Sequence, residues 1–277
     1  MRGAYINFCN KKAFNLVDED FKQRVIDSLK DNYYITISDR NFYIINERNI
    51  NYIEKKPFIL SVKSLGSLYY LYLTNIDGIN YCIYINKKIK DGHKFPLMVS
   101  VPYRFDDDLF NNTLFDGELL RNNNDNWLYI INNLVLLKGE IMKNRNIMKK
   151  LNLVYKILTN NYTKDEEMEI CPLYVKRLFG YHELDTIINE YIPSLNFKVR
   201  GLYFEGIKDN KNYLLVTSSN LTVINVIESR FKIFVKDYMF TPAYRDRRWD
   251  GKIPFFKDNL LKKGLLHELL KLCKFKN

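Results

Sequence analysis

The sequence has few of the residues that build metal centres and disulfide frameworks. Four cysteines are scattered at positions 9, 82, 171 and 273 without a Cys-x-x-Cys spacing, and only three histidines occur. These counts argue against a zinc site, a disulfide scaffold and a metal centre built on histidine. No apolar run reaches the roughly 18 residues of a membrane span, and residues 1–8 lack the apolar core of a signal peptide. We therefore expect no membrane partner and a cytoplasmic location.

Positive charge and aromatic side chains are abundant instead. The 277 residues carry a formal net charge of +11 at pH 7, and 15% of them are aromatic. A basic balance of this size favours a polyanionic partner such as RNA, and the aromatic content argues against overall disorder. Asn, Lys, Ile and Tyr are frequent. This usage is typical of AT-rich genomes, as in many large DNA viruses, so a viral source is one expectation.

Three stretches carry candidate chemistry. Residues 113–119, Thr-Leu-Phe-Asp-Gly-Glu-Leu, predict a strand that runs into a turn or bulge at Asp116-Gly117 and presents the Glu118 carboxylate. A Lys-Ser-Leu-Gly segment begins at Lys63, and an Arg-Gly-Leu-Tyr-Phe segment begins at Arg200. A carboxylate that faces a cleft can bind a ribose hydroxyl, a metal or a cationic base. A solvated acid in a hairpin turn is the alternative for Glu118.

The order of these segments resembles the covalent nucleotidyltransferase superfamily. That superfamily includes the mRNA guanylyltransferases (capping enzymes), the RNA and DNA ligases and the cap-binding domain of snurportin, and the likeness extends over residues 55–206. Its members use a lysine that attacks the α-phosphate of a nucleotide and forms a phosphoramidate. The resemblance implies that an active enzyme would use Lys63 as the GMP acceptor, with GTP and Mg²⁺ or Mn²⁺.

Several family positions hold other residues here. Leu65 and Leu68 stand where the first motif has Asp and Arg, and Lys87 stands where the third motif has Arg. Arg200 occupies the position of an acid in the fourth motif that binds metal, and residues 213–217 contain neither of the two lysines of the fifth motif. These losses remove electrostatic stabilisation on which nucleotidyl transfer depends.

One late stretch matches the family in spacing. Residues 248–255, Arg-Trp-Asp-Gly-Lys-Ile-Pro-Phe, resemble the sixth family motif, which sits on an OB-fold that closes over the nucleotide. The stretch between Gly206 and Arg248 is short for a five-stranded OB barrel, so we expect a truncated or absent OB-fold. The basic side chains predicted to bind phosphate or RNA in this region are Arg245, Arg247, Arg248 and Lys252.

The hydrophobic pattern predicts an α+β fold. Residues 11–30, 141–160, 183–191 and 259–274 have apolar side chains at helical spacing. Strands are predicted within 33–53, on both sides of Asp77-Gly78, within 96–137 and from 199 to 235. The resemblance implies a nucleotidyltransferase fold, of the guanylyltransferase or ATP-grasp type, with two twisted, mostly antiparallel sheets, flanking helices and a central cleft.

Three segments follow from this pattern. Residues 1–54 hold the N-terminal helix and short strands of the main domain, 55–235 form the guanylyltransferase-like domain, and 236–277 form a C-terminal basic loop and helix.

The sequence is compatible with three functions. The lost motif residues favour a non-catalytic guanylyltransferase-like domain that binds a guanine cap or an RNA 5′ end and needs no cofactor. A divergent, active mRNA guanylyltransferase and a protein-interaction subunit of a capping or translation complex are the alternatives. The predicted partners are capped or 5′-end RNA, guanine nucleotide and a capping or translation factor. The predicted ligand-binding residues are Lys63, Gly66, Tyr69, Glu118, Arg200 and Tyr203, and none is predicted to bind metal.

Overall fold

The computed structural model describes residues 2–37, 42–45, 58–143, 146–180, 183–206 and 211–216. The chain divides into two compact units. The first unit comprises Met1–Arg40, Gly66–Arg145 and Lys149–Lys176. The second unit comprises Asn41–Leu65, Asn146–Met148 and Arg177–Asn277.

The elements are numbered in chain order. The strands are β1 (Gly3–Phe8), β2 (Lys11–Leu16), β3 (Tyr43–Ile44), β4 (Phe58–Ser64), β5 (Ser67–Ile76), β6 (Ile79–Asn86), β7 (Met98–Val101), β8 (Arg104–Phe105), β9 (Thr113–Arg121), β10 (Trp127–Leu137), β11 (Glu140–Ile141), β12 (Tyr162–Thr163), β13 (Leu173–Val175), β14 (Val199–Gly206) and β15 (Asn212–Val216). The helices are α1 (Glu19–Asp27), α2 (Ile147–Asn160), α3 (Leu184–Thr186) and α4 (Ile192–Ser194). A π-helical turn at Ser28–Asn32 extends α1, and another at Ile187–Tyr191 joins α3 to α4.

The first unit is built on a nine-stranded sheet. Its order is β1-β2-β7-β6-β5-β9-β10-β11, and β13 also pairs with β10. The strand pairs are antiparallel except for the parallel pair of β13 with β10. Strands β8 and β12 form a separate two-stranded sheet. The long antiparallel strands β5, β9 and β10 form the centre of this sheet. The candidate residues of the first unit lie on these strands or next to them.

The hairpin predicted at Asp77-Gly78 is confirmed. Strands β5 and β6 pair without interruption up to the turn, where Asp77 has φ 55° and Gly78 has φ 80°. A two-residue hairpin turn with positive φ at both central residues matches the right-handed twist of the strands that it joins. The Arg24 guanidinium also pairs with the Asp77 carboxylate at 3.0 Å.

The N-terminal segment differs from its prediction. Residues 11–16 form β2, which pairs with β1 and β7, so the helix predicted over 11–30 is wrong at its start. Helix α1 begins at Glu19 because Asp18 caps it, with the Asp18 carboxylate accepting a hydrogen bond from the Phe21 N–H at 3.1 Å. Pairing with strands on both sides of β2 overrides the helical spacing, which is a weak preference on its own.

One face of the large sheet packs against α1. The core on this face consists of buried apolar side chains from α1, β2, β5, β6, β7, β9 and β10, namely Leu16, Phe21, Val25, Leu29, Tyr70, Tyr72, Ile83, Ile85, Met98, Leu114 and Leu136. Burying a side chain of this size contributes about 1.5–3 kcal/mol. The cluster therefore anchors the middle strands of the sheet, including β9, which carries Asp116 and Glu118.

The second unit contains a four-stranded sheet in the order β3-β15-β14-β4. Its pairs are antiparallel except for the parallel pair of β15 with β3. The expected fold class, with two mostly antiparallel sheets and flanking helices, is confirmed. The helix predicted over 141–160 begins at Ile147, after the short strand β11. The strands expected after residue 216 and the helix expected over 259–274 lie outside the described residues.

Within the described residues, no helix has the length and apolar character needed to cross a bilayer.

Candidate functional site

Strand β9 carries the Asp-Gly-Glu-Leu motif in the first unit. Asp116-Gly117 forms no turn, because β9 runs unbroken from Thr113 to Arg121 and pairs with β5 on one side and β10 on the other; the bulge at this level of the sheet lies opposite, in β10. Successive side chains of a strand point to opposite faces. Asp116 and Glu118 therefore share one face, and Gly117 stands on the other.

Gly117 is required by close packing and not by a turn. Its φ is not in the positive range, unlike that of Gly78. A Cβ atom at this position would lie 2.5 Å from the Ile130 carbonyl oxygen and 2.5 Å from Cζ of Tyr129. The Tyr129 ring is fully buried, and its hydroxyl donates to the Tyr69 carbonyl at 2.8 Å. The glycine thus lets an aromatic ring lie directly on the strand that presents both acids.

Asp116 is half of a buried ion pair. The Lys87 ammonium donates to both Asp116 carboxylate oxygens, at 3.1 and 2.9 Å, and only 2% of the Lys87 side chain is exposed. The same ammonium lies 4.5 Å from the centre of the Tyr70 ring. Burial lowers the pKa of Lys87, but the Asp116 carboxylate and Tyr70 raise it more, so the net pKa lies above its ordinary value. Lys87 is therefore a cation at neutral pH.

Glu118 is held by a residue of the neighbouring strand. It is 3% exposed, and its Oε1 accepts a hydrogen bond from the Asn132 side-chain amide at 2.8 Å. Asn132 is the extra residue of a bulge in β10, between the positions paired with Gly117 and Asp116. Bulges re-aim side chains toward sites of this kind. A Cβ on Gly66 would lie 3.1 Å from Cβ of Glu118, so two predicted site residues do come together.

Tyr69 lies apart from this group. It pairs with Gly117 across β5 and β9, whereas Glu118 pairs with Leu68, so Tyr69 and Glu118 stand on opposite faces of the sheet. Its ring packs edge-on against Phe8, its hydroxyl accepts from the Asn86 amide at 3.0 Å, and burial raises its pKa. Stacking of Tyr69 on a base stays a prediction, but strand alternation separates it from Glu118.

In the second unit, Lys63 and the Gly-Leu segment occupy adjacent strands. Lys63 is 6% exposed near the end of β4 and pairs with Gly201 of β14. The Gly201 strand is thus a hydrogen-bonded neighbour of the Lys63 strand in the same sheet. The Lys63 ammonium lies 3.5 Å from the Ser64 carbonyl oxygen. The predicted nucleophile is thus held on a strand, with its side chain largely covered.

Arg200 is the bulge residue of this strand pair. Val199 pairs with Ser64 and Gly201 with Lys63, which leaves Arg200 as an extra, exposed residue on β14. Its guanidinium lies 5.6 Å from the centre of the Phe42 ring. The structure therefore places a second cation one residue from the position that faces Lys63.

Phe42 links Arg200 to Tyr203. The Phe42 and Tyr203 rings meet edge to face with centroids 6.0 Å apart, and Tyr203 is 6% exposed. Tyr203 pairs with Ser61, two residues before Lys63, so strand alternation gives Tyr203 and Lys63 the same face of the sheet. The structure gives the Tyr203 ring an aromatic packing partner, and its stacking on a base stays a prediction.

Two further points concern metal ligands and the predicted phosphate-binding residues. Among the described residues, no group of three or more His, Cys, Asp or Glu side chains comes together as a metal site. The predicted phosphate-binding residues Arg245, Arg247, Arg248 and Lys252 lie outside the described residues.

Three residues of these groups were missed or undervalued by sequence reasoning. Lys87 counted only as a departure from a family motif, and neither Asn132 nor Phe42 was assigned a role. Lys87 follows β6 and contacts Asp116 of β9 across the intervening strand β5, Asn132 contacts Glu118 on the neighbouring strand, and Phe42 is far from Arg200 in the chain. No local sequence signal marks the bulge that presents Asn132, because strand register depends on contacts between segments distant in the chain.

The motifs and the two antiparallel sheets together define a domain of the covalent nucleotidyltransferase type. The family model of the mRNA capping enzyme, catalytic domain, matches residues 20–222, which is well over half of the chain. The chain therefore belongs to this family. No curated protein matches it.

Two solved structures show a distant likeness. An apo variant of an RNA ligase from Naegleria gruberi has 11% identity and a TM-score of 0.37, over 83% of this chain and 77% of that one. A variant of a Naegleria gruberi RNA ligase with AMP and Mn has 10% identity and a TM-score of 0.35, over the same shares. No residue role follows from either likeness.

Proposed function

We propose that this chain is a capping-enzyme-like domain that binds a guanine cap or the 5′ end of RNA without forming a covalent nucleotide adduct. The observation that carries this proposal is Arg200. The family has a metal-binding acid at this position, whereas this chain has an exposed guanidinium at a bulge beside Lys63.

The exchange of an acid for Arg200 changes which ion this sheet attracts. A divalent cation would meet two positive side chains, and like charges separated by a few ångströms repel. A phosphate would meet two donors of charge-assisted hydrogen bonds, and guanidinium matches phosphate geometry especially well. The residues present in the second unit thus fit a phosphate and do not fit the metal that the active family uses.

The first unit, considered by itself, carries a carboxylate that suits a nucleoside. Glu118 presents a carboxylate that Asn132 orients at 2.8 Å, and such a carboxylate accepts hydrogen bonds from guanine N–H groups or ribose hydroxyls. The Lys87–Asp116 pair and the close packing at Gly66 and Gly117 hold the strand that carries it. Pre-organised polar groups of this kind favour specific binding, because little ordering remains to be done when the ligand arrives.

The first test asks whether the chain forms a covalent intermediate. We expect no labelled band after incubation with radiolabelled GTP and Mg²⁺ or Mn²⁺ followed by denaturing electrophoresis. The missing fourth-motif acid and the missing lysines of residues 213–217 are the physical reason, since metal and cations neutralise the charge of the transferring group. A band that survives denaturation and disappears in Lys63→Ala would establish the active guanylyltransferase instead.

That alternative has a specific observation in its favour. Lys63 is retained near the end of β4 in register with Gly201, and the family resemblance implies a lysine nucleophile at this motif position. The labelling experiment therefore decides between two readings of the same residue, a phosphate ligand and a GMP acceptor.

The second test measures the contribution of Arg200 to binding. We expect Arg200→Ala to weaken binding of a cap dinucleotide by about tenfold. This factor corresponds to the lower end of the free energy lost when one hydrogen bond to a charged group is removed. Fluorescence titration with cap dinucleotide, guanosine nucleotide and ATP gives the three affinities. Lys198→Ala is the matched control, because Lys198 is an exposed cation two residues away. Equal losses in both variants, or no binding of any ligand by the unsubstituted chain, would contradict the proposal and favour a protein-interaction subunit.

A further inference from the structure

A short loop of the first unit concentrates positive charge. Residues 88–94 connect β6 to β7 and are all exposed. They contain three lysines, Lys88, Lys90 and Lys94, together with His93, against the single acid Asp91. We call this segment the lysine loop.

The three lysines have no acidic partner in the described part of the chain. The ion pairs there involve other cations, namely Arg24, Lys87, Arg104, Arg121, Lys138 and Lys164. Lys94 instead lies 4.8 Å from the centre of the Phe95 ring. The positive charge of the loop is thus available to a polyanion.

The lysine loop has a defined shape. The Lys88 N–H donates to the Asn86 side-chain oxygen at 2.8 Å, and the His93 N–H donates to the Lys90 carbonyl at 3.1 Å. Gly92 supplies the positive φ, 79°, that the turn requires. Such a loop loses less conformational entropy on binding than an unstructured basic tail.

The loop also starts beside the family motif. Lys87, the residue before it, donates its backbone N–H to the Leu68 carbonyl at 3.0 Å, and Leu68 pairs with Glu118. Neighbouring strands are about 4.8 Å apart, so the backbone of Lys87 is about 10 Å from that of Glu118. Both lie in the first unit.

We propose that the lysine loop binds the phosphates of the RNA chain that follows the 5′ end. The choice of RNA as the polyanion rests on the proposed function. The charge and the position of the loop do not depend on that function. Lysine contacts to phosphate carry no sequence information, so the binding is independent of sequence and falls with salt.

The test compares two variants with the same loss of charge. The loop variant is Lys88→Ser/Lys90→Ser/Lys94→Ser, and the control is Lys12→Ser/Lys30→Ser/Lys156→Ser, which removes exposed lysines elsewhere in the first unit. Fluorescence anisotropy measures binding of a labelled single-stranded RNA with a 5′ hydroxyl over a range of salt. The loop variant should flatten the slope of log K against log salt by about 2, because each phosphate contributes about −0.7. The control should keep most of the slope of the unsubstituted chain.

Two further ligands separate the possible outcomes. Cap dinucleotide should bind the loop variant and the unsubstituted chain equally. If the unsubstituted chain does not bind cap dinucleotide but the expected RNA result is obtained, only the proposed function is refuted. Equal flattening in loop variant and control would overturn the loop proposal. So would a loop variant that keeps its RNA slope but no longer binds poly-glutamate, since that result identifies an acidic protein as the partner.

Discussion

Replacing Lys87 by methionine should lower the free energy of unfolding by about 3–5 kcal/mol. The change leaves the Asp116 carboxylate buried without its cation. An unpaired buried charge destabilises the folded state by more than the intact ion pair stabilises it. Lys87 and Asp116 are 2% and 11% exposed in their side chains, so water can do little to replace the lost ammonium. The same change removes the cation from the face of Tyr70.

The measurement is urea unfolding followed by tryptophan fluorescence. The chain has two tryptophans, so a Trp249→Phe background leaves Trp127 as the reporter for the first unit. Lys88→Met is the control, because Lys88 is the exposed neighbour of Lys87 and should change stability by less than about 0.5 kcal/mol. The double variant Lys87→Met/Asp116→Leu should recover most of the loss, since an apolar pair of similar volume often equals a buried ion pair. A double variant as unstable as Lys87→Met would show that packing and not the unpaired charge sets the cost.

The pH dependence of this pair has a definite sign. The pKa of Lys87 lies above its ordinary value in the folded chain, so the folded state holds the proton more tightly than the unfolded state. The stability gained from that difference is complete below the unfolded pKa, about 10.4, and is lost as pH rises through the folded pKa. The difference between unsubstituted chain and Lys87→Met should therefore be constant near neutral pH and shrink only under alkaline conditions.

Gly117→Ala should lower the free energy of unfolding by about 3 kcal/mol, at the upper end for overpacking a core. The added Cβ would lie 2.5 Å from a backbone carbonyl of β10 and 2.5 Å from the ring of Tyr129. Neither neighbour moves easily, because the carbonyl belongs to the sheet and the ring is fully buried with a bonded hydroxyl. The strand that carries Asp116 and Glu118 would then have to separate from β10.

Two other glycines provide comparisons for this variant in the same urea experiment. Gly66→Ala should cost less, since its nearest neighbours to an added Cβ are 3.1 Å away. Gly78→Asn should change stability by a few tenths of a kcal/mol, because that position is open and Asn tolerates positive φ. If Gly117→Ala were as mild as Gly78→Asn, the glycine of the motif would not be explained by packing against Tyr129.

Much of this protein was predictable from local pattern. The Asp77-Gly78 pair predicts its hairpin because few dipeptides accept positive φ at both positions. The alternating and apolar runs predict most strands after residue 57, and the order of the Lys63, Asp116-Gly117-Glu118 and Gly201 segments indicates the capping-enzyme family, which the match over residues 20–222 confirms. Local pattern also misleads in one place, because Asp116-Gly117 has the composition of a turn but lies inside β9.

The sequence by itself determined the family, the fold class and the identity of the charged residues, because those depend on residue types and short spacings. Only the tertiary structure decided which of them meet. Sheet order and strand register bring Lys87 to Asp116 and Asn132 to Glu118, separate Tyr69 from Glu118 by one step of alternation, and place Arg200 in a bulge near Phe42. A register shift of one residue reverses every side chain of a strand, and register is set by contacts between segments distant in the chain. Local spacing therefore could not have revealed these pairs.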